Sequence, residues 1–140
     1  MTTHTTEIVL RGAGAVCALS SAVLHLILVP AHLEEKPYIG ILFLIGGLAL
    51  VGVTVGLIHH NPAPAWLAGT LISIGMIVGF TLSRTIGLPG GYKENGWEPP
   101  YGLLSMIAEI AFVLAFAAWL NVRPARTPAS PLRPRVSARR

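Results

Sequence analysis

The chain has 140 residues, of which 53% are hydrophobic and only 11% are charged. A soluble domain usually carries about a quarter charged residues, so the composition excludes an ordinary soluble domain and is typical of a protein with several membrane spans. The formal net charge of +4 does not indicate a nucleic-acid partner, because six of the ten basic residues lie after Asn121, in a tail. Cys17 is the single cysteine, so no disulfide can form within the chain.

The first predicted element is a transmembrane helix over residues 8–30, which follows a short polar lead at residues 1–7. Its apolar run matches the ~20 residues that a bilayer needs. The run is too long for a cleaved signal peptide, and no small-x-small cleavage site follows it, so a span is favoured. Gly14, Ala18 and Ala22 recur at every fourth position, which predicts close approach of another helix.

Two further apolar runs predict a second span over residues 38–59 and a third over residues 65–85. The polar segment 59–64 between them contains two prolines and predicts a tight turn, where a histidine pair is more typical of solvent exposure than of a site. Trp66 is expected to anchor the third span at the membrane interface. Small residues recur at the packing spacing of four along the third span: Gly75, Gly79 and Ser83.

The connection 87–100 is rich in Gly and Pro and cannot form a regular helix. The fourth span is predicted over residues 101–120. Residues 121–140 are rich in Pro and Arg and predict a disordered tail that also touches anionic lipid. Three aromatic residues around the connection suit an interfacial belt: Tyr92, Trp97 and Tyr101.

The distribution of basic residues predicts the orientation of the spans. The arginine-rich tail places the C-terminus in the cytoplasm, and an even number of spans places the N-terminus there too, in agreement with Arg11. The predicted fold is therefore all-α, an integral membrane four-helix bundle with both termini cytoplasmic. The connections 32–37 and 87–100 then share the outer face of the membrane.

Three ionisable residues within or beside the spans fall at similar depth below the outer face. At about 1.5 Å of rise per residue, His25 lies roughly 10 Å below His32, Glu109 roughly 12 Å below Tyr101, and Arg84 is shallower. An ionisable side chain in a span costs about 2.5–3.5 kcal/mol at mid-bilayer, so Glu109 should face the bundle and have a partner, first Arg84 and second His25. Two interpretations stay open: a purely structural Arg–Glu pair, or a site for a small ligand, ion or proton.

Other polar residues are expected at the mouth of such a site, on the outer face. A metal ion is a weaker alternative, because His25 with Glu109, or His32 with Glu34 and Glu35, supplies only part of the three or four ligands that a transition metal needs. No other cofactor is predicted. The expected mouth residues are His32, Glu34, Glu35, Trp97 and Glu98.

The segment Ser83-Arg84-Thr85-x-Gly87-Leu88-Pro89, followed by a polar loop and by Glu109 in the last span, carries a family resemblance. It resembles a group of small, largely uncharacterised four-span membrane proteins of actinobacteria, which often carry a Ser-Arg-Thr-x-Gly-Leu-Pro motif before the last span. The His-containing first span, around His25, fits the same group. The resemblance implies four helices and a plasma-membrane location, and it supplies no activity. Gly90 and Gly91 depart from the Phe-Gly expected after the motif.

The predicted function is a plasma-membrane protein with an outward-facing polar intramembrane site, serving binding or transport of a small ligand, ion or proton. The alternative is a non-catalytic accessory subunit of a larger membrane complex, because small-residue faces occur on all four spans. An enzymatic role ranks third, since no nucleophile–base pattern and no phosphate loop is present. The predicted partners are the lipid bilayer and either a second copy of the chain or a larger membrane complex, with no nucleic acid.

Overall fold

A computed structural model of the chain describes residues 3–59, 61–97 and 99–122. Over these residues the chain forms a bundle of four helices, and each helix is long and apolar enough to cross a membrane. The predicted all-α four-helix bundle is therefore confirmed, and the chain is a multipass membrane protein. Most of the predicted tail lies outside the described residues. The helices are α1 (Thr3–Glu35), α2 (Pro37–Ile58), α3 (Ala63–Arg84) and α4 (Tyr101–Val122).

The order of packing around the bundle follows the order of the chain. Helix α1 packs against α2 and α4, and α3 packs against the same two helices, so α1 and α3 occupy opposite corners. Helix α1 is longer than the predicted span, because it starts at Thr3 and continues through Pro30 to Glu35. The backbone N–H of Lys36 donates to the carbonyl of His32 at 2.8 Å, and Pro37 then begins α2. The predicted connection 32–37 is thus almost entirely helical.

An aromatic cluster fills the half of the bundle nearest the termini. Trp66 lies at its centre and is fully buried, so the expectation of an interfacial anchor is wrong. The Trp66 ring lies 5.1 Å from Phe112, 5.9 Å from Phe116 and 5.8 Å from Trp119, measured between ring centroids. Gly14 on α1 makes room for the indole, because a Cβ there would overlap the ring. Trp66 thus packs against residues of α1 and α4 and gains dispersion contacts with both helices.

Arg11 joins the ends of α1 and α2 at this same end of the bundle. Its Nε donates to the carbonyl of Leu57 at 2.8 Å, and its Nη2 donates to the carbonyl of His59. The last carbonyls of a helix have no partner within the helix and carry partial negative charge, so a guanidinium is well suited to this position. The contact fixes the two helices relative to each other.

At the opposite end, residues 85–97 fold back over the bundle and are named here the cover loop. Lys36 Nζ donates to the carbonyl of Gly90 at 2.7 Å, and the Tyr38 hydroxyl donates to the carbonyl of Pro89 at 2.6 Å. Gly90 has a φ of 77°, a left-handed conformation that favours glycine. Tyr92 belongs to this loop and its side chain is buried, so its predicted place in an interfacial belt is also wrong.

Candidate functional site

A cavity of about 320 Å³ lies in the half of the bundle beneath the cover loop. All four helices contribute to its walls, and α2 and α3 contribute most of the apolar lining. This volume falls in the range of ~300–1,000 Å³ that small-molecule sites occupy. Two groups of polar side chains meet here, one deep in the bundle and one under the loop. The polar lining includes His25, Ser83, Arg84, Tyr92, Glu94, Ser105 and Glu109.

The deeper group, named the inner cluster, consists of Ser21, His25 and Glu109. Glu109 is only 2% exposed. The Ser21 hydroxyl donates to Glu109 Oε1 at 3.0 Å, and His25 Nε2 lies 3.8 Å from the same oxygen. His25 Nδ1 lies 2.9 Å from the carbonyl oxygen of Ser21. Since a carbonyl only accepts, this contact assigns the proton to Nδ1 and turns Nε2 toward Glu109.

The second group, named the outer cluster, consists of His32, Arg84, Tyr92 and Glu94. Arg84 Nη2 lies 2.5 Å from Glu94 Oε2, and His32 Nε2 lies 3.4 Å from Glu94 Oε1. The Tyr92 hydroxyl also donates to Glu94 Oε1. The hydrogen bond with His32 lowers the pKa of Glu94 most, burial opposes it, and the charge of Arg84 lowers it further. The cluster ties the cover loop to α1 and α3.

Three predicted site residues, His25, Arg84 and Glu109, all line the same cavity. The expected ion pair between Arg84 and Glu109 is nevertheless wrong as the primary contact. Arg84 pairs with Glu94, because the cover loop folds back and the Glu94 N–H donates to the Ser83 carbonyl at 3.0 Å. Glu109 contacts the second expected partner, His25, instead. Their role in binding stays a prediction.

The predicted mouth residues occupy different environments. His32 is only 3% exposed and belongs to the outer cluster, because α1 continues beyond it and directs its side chain inward. Glu34 and Glu35 are exposed at the end of α1. Trp97 is 62% exposed, with its ring 6.1 Å from that of Phe80. The remaining predicted mouth residue, at position 98, lies outside the described residues.

One group of side chains has the spacing of a partial metal site. His32, Glu35 and Glu94 each offer a ligand atom, and these atoms lie within 4.8 Å of one another. His32 Nδ1 lies 2.9 Å from the Leu28 carbonyl, the arrangement that directs a histidine Nε2 toward a metal. However, the guanidinium of Arg84 already compensates the charge of Glu94. We therefore assign no metal to this group.

Two glycines on α3 create space rather than close packing. A Cβ added at Gly75 or Gly79 would meet no atom within 4 Å, and both residues line the cavity. Gly75 and Gly79 therefore do not admit another helix of this bundle, whereas Ser83, the third residue at the same spacing, is buried. Gly69, on the same helix, is different, because a Cβ there would overlap the Phe112 ring. Spacing alone does not distinguish a glycine that admits a neighbour from one that leaves a void.

Ser21, Tyr92, Glu94 and Ser105 belong to the site but were not among the predicted site residues. Ser21 precedes His25 by four positions, and this spacing on one helix face is the signal that identifies it. Glu94 carries no such signal, because it lies in a Gly-rich loop without periodicity. Its place depends on tertiary contacts of the cover loop.

Comparisons with known proteins assign no family to the chain. It matches no protein-family model, no curated protein and no solved structure. The functional assignment therefore rests on the cavity and the side chains that line it.

Proposed function

We propose that this chain is a non-enzymatic membrane protein that binds a small ligand, ion or proton in the cavity beside Glu109, in a binding or transport role. One observation carries the proposal: a buried carboxylate lies beside a cavity of about 320 Å³. Within the described residues, the contacts of Glu109 are with Ser21 and His25, and none is with Lys or Arg. A buried charge requires compensation, so this position calls for a cation or a proton.

The geometry favours a binding site over a purely structural pair. In a purely structural pair, a cationic partner within the bundle compensates the buried carboxylate, and removal of that partner leaves an uncompensated charge. Here Arg84 is engaged by Glu94, and the space beside Glu109 is not filled by the glycine, apolar and polar side chains that line it. The void forfeits van der Waals contacts, which an occupant would restore.

The expected membrane and orientation belong to the same proposal. The arginine-rich tail supports cytoplasmic termini, and the Ser83–Pro89 motif supports a plasma-membrane location through the resemblance that it carries. With this orientation the cover loop and the cavity face the outer side of the membrane. The site would then sample extracellular or outer-leaflet ligands.

The test compares Glu109→Gln with Glu7→Gln, which makes the same chemical change near the start of α1. Both variants and the wild type are purified into nanodiscs, and thermal unfolding is followed across monovalent and divalent cations, organic amines and acids, and pH. A ligand at 100 times its Kd stabilises the protein by about 2.7 kcal/mol. We expect at least one condition to stabilise the wild type and Glu7→Gln but not Glu109→Gln, at equal expression.

Two results would contradict this function. The first is a stabilisation that Glu109→Gln retains in full. The second is a parallel loss of expression and of stability in Glu109→Gln under every condition, which identifies Glu109 as a structural residue.

A role as an accessory subunit is the second candidate, and an exposed glycine on α1 favours it. Gly12 is exposed, and a Cβ there would meet no atom within 4 Å. Such a position permits close approach of a helix from another subunit. Crosslinking in native membranes tests this role: a defined crosslinked partner that is lost in Gly12→Leu supports it, and the absence of any crosslinked partner contradicts it.

A further inference from the structure

The cavity reaches the side of the bundle between α2 and α3. Leu42 and Ile45 on α2 line it while being 57% and 60% exposed, and Gly75 on α3 lines it while also being exposed. These residues place a wall of the cavity at the outer surface of the bundle, along the seam between α2 and α3, and this seam is where a lateral opening would lie. The α2–α3 contact is also much less extensive than the α1–α2 contact. Because these helices span the membrane, the opening faces lipid rather than water.

The lining changes character from this opening to the far end. Apolar side chains form the wall near the opening, including Met76 as well as Leu42 and Ile45. Glu109 and His25 lie at the buried end, between α1 and α4. A cavity with apolar walls and a few convergent polar groups orients an amphiphilic ligand, with its apolar body toward the opening and its polar group at the carboxylate.

The polar end is matched to a donor that carries positive charge. Glu109 Oε1 and His25 Nε2 lie 3.8 Å apart, and both are acceptors when His25 is neutral with its proton on Nδ1 and Glu109 is ionised. Among the described lining residues, Arg84 pairs with Glu94, so the charge of an ionised Glu109 calls for compensation from the ligand. An ammonium group satisfies both acceptors and the charge, whereas a carboxylate ligand would meet Glu109 with like charge.

The volume limits the size of the apolar body. An engineered apolar cavity of about 150 Å³ admits benzene. The cavity here, at about 320 Å³, is roughly twice as large. It therefore suits a body of about two fused rings or an equivalent branched chain.

We infer that the cavity binds a lipid-soluble amine, with its ammonium group at Glu109 and its apolar body toward a lateral opening between α2 and α3. The inference rests on the proposed function of the same site and adds the ligand class and the route of access. The ligand reaches the site from the bilayer, without opening of the cover loop.

Three probes with one apolar body test the ligand class: 1-naphthylmethylamine, 1-naphthylmethanol and 1-naphthoate. Binding is measured by equilibrium dialysis with protein in nanodiscs, and empty nanodiscs correct for partitioning into lipid. We expect the amine to bind at least tenfold more tightly than the alcohol, with the naphthoate weakest. Glu109→Gln should bring the amine to the level of the alcohol, and Glu7→Gln should leave the order unchanged.

The outcomes separate this inference from the proposed function. Equal binding of amine and alcohol, or tighter binding of the naphthoate, overturns the amine inference while the cavity remains a binding site. Binding of none of the three probes also overturns it, and the cation and pH conditions of the thermal-unfolding test then decide the proposed function separately.

The route of access is tested by the rate at which the amine associates. Gly75→Trp places a large side chain at the lateral opening, and Gly52→Trp places the same side chain on an exposed glycine that does not line the cavity. We expect Gly75→Trp to slow association at least tenfold and Gly52→Trp to leave it unchanged. An unchanged association rate in Gly75→Trp overturns the lateral route. So does an association rate that rises only in Glu94→Gln, the variant that loosens the cover loop.

Discussion

Substitution of Gly79 by Phe should abolish ligand binding while leaving the bundle more stable. Gly79 lines the cavity, and a Cβ added there meets no atom within 4 Å, so the new side chain extends into open space. A phenyl ring occupies about the volume of the ~150 Å³ cavity that admits benzene. The substitution therefore fills roughly half of the 320 Å³ present.

The size of the gain in stability follows from the volume that is filled. Cavities reduce stability by about 24 cal/mol per Å³, so filling ~150 Å³ of dry void would contribute at most ~3.6 kcal/mol. This cavity opens toward lipid, which already supplies some contacts, so we expect a gain of about 1–2 kcal/mol. The remaining space is too small for a two-ring ligand, and affinity should fall at least ~100-fold, equivalent to ~2.8 kcal/mol.

Thermal unfolding in nanodiscs measures the stability, and equilibrium dialysis with 1-naphthylmethylamine measures the binding. Gly52→Phe is the matched control, because Gly52 is exposed, lies outside the cavity and has no atom within 4 Å of an added Cβ. A Gly79→Phe protein that unfolds at a lower temperature than the wild type would show that the space beside Gly79 is already filled. Unchanged amine binding in that variant would refute the assignment of the ligand to the cavity.

Three further predictions concern the elements that hold the cavity in shape. Gly69→Ala places a methyl group against the Phe112 ring, so overpacking should cost about 1–3 kcal/mol in thermal unfolding, while Gly52→Ala should cost almost nothing. Arg11→Ala leaves the last carbonyls of α2 without their guanidinium donor and should cost about 1–2 kcal/mol, with partial recovery in Arg11→Lys. The lowered pKa of Glu94 means that its contribution to cover-loop stability is present above the ordinary carboxyl pKa and is lost as pH falls through the lower folded pKa. Hydrogen-exchange protection of residues 85–97, corrected for intrinsic rates, should persist at about pH 5 and decline below about pH 4. Glu94→Gln should remove this pH-dependent decline. Protection that declines between about pH 7 and 6 would contradict the assignment to Glu94.

The helices of this protein are predictable because each one is determined by a continuous stretch of the sequence. Each apolar run is about as long as a bilayer requires, and proline or polar residues interrupt the chain between the runs. The extension of α1 to Glu35 is not visible in the same way, because Pro30 and the polar residues after it favour an end to the helix. The helix continues because Lys36 N–H bonds to the His32 carbonyl and the His32 side chain is buried against Phe43, at a ring-centroid distance of 4.3 Å.

The sequence predicts the depth at which the site residues lie in the bundle, but it does not predict which of them pair with each other. A fixed rise per residue is enough to place His25, Arg84 and Glu109 at one level of the bundle. The choice of partner depends on Glu94, whose position follows from backbone contacts of a loop with left-handed glycines. Such contacts join residues that are distant along the chain or lie in an irregular loop, so no periodic pattern in the sequence indicates them.

Trp66 illustrates the same limit for the core. By sequence position alone, a tryptophan at the start of a span suits the membrane interface as well as it suits the core of the bundle. Its burial depends on Gly14, fifty-two positions earlier, which leaves the space that the indole occupies. Only the three-dimensional arrangement relates the two residues.

The measurement that tests the central claim most directly is native mass spectrometry of the protein purified gently from its own membranes, with Glu109→Gln purified in parallel. The site beside Glu109 predicts a small, reproducible mass increment on the wild-type chain that Glu109→Gln loses and Glu7→Gln keeps. A bare monomer in all three preparations would contradict it. An increment that matches additional subunits, unchanged in Glu109→Gln, would assign the function to an assembly instead.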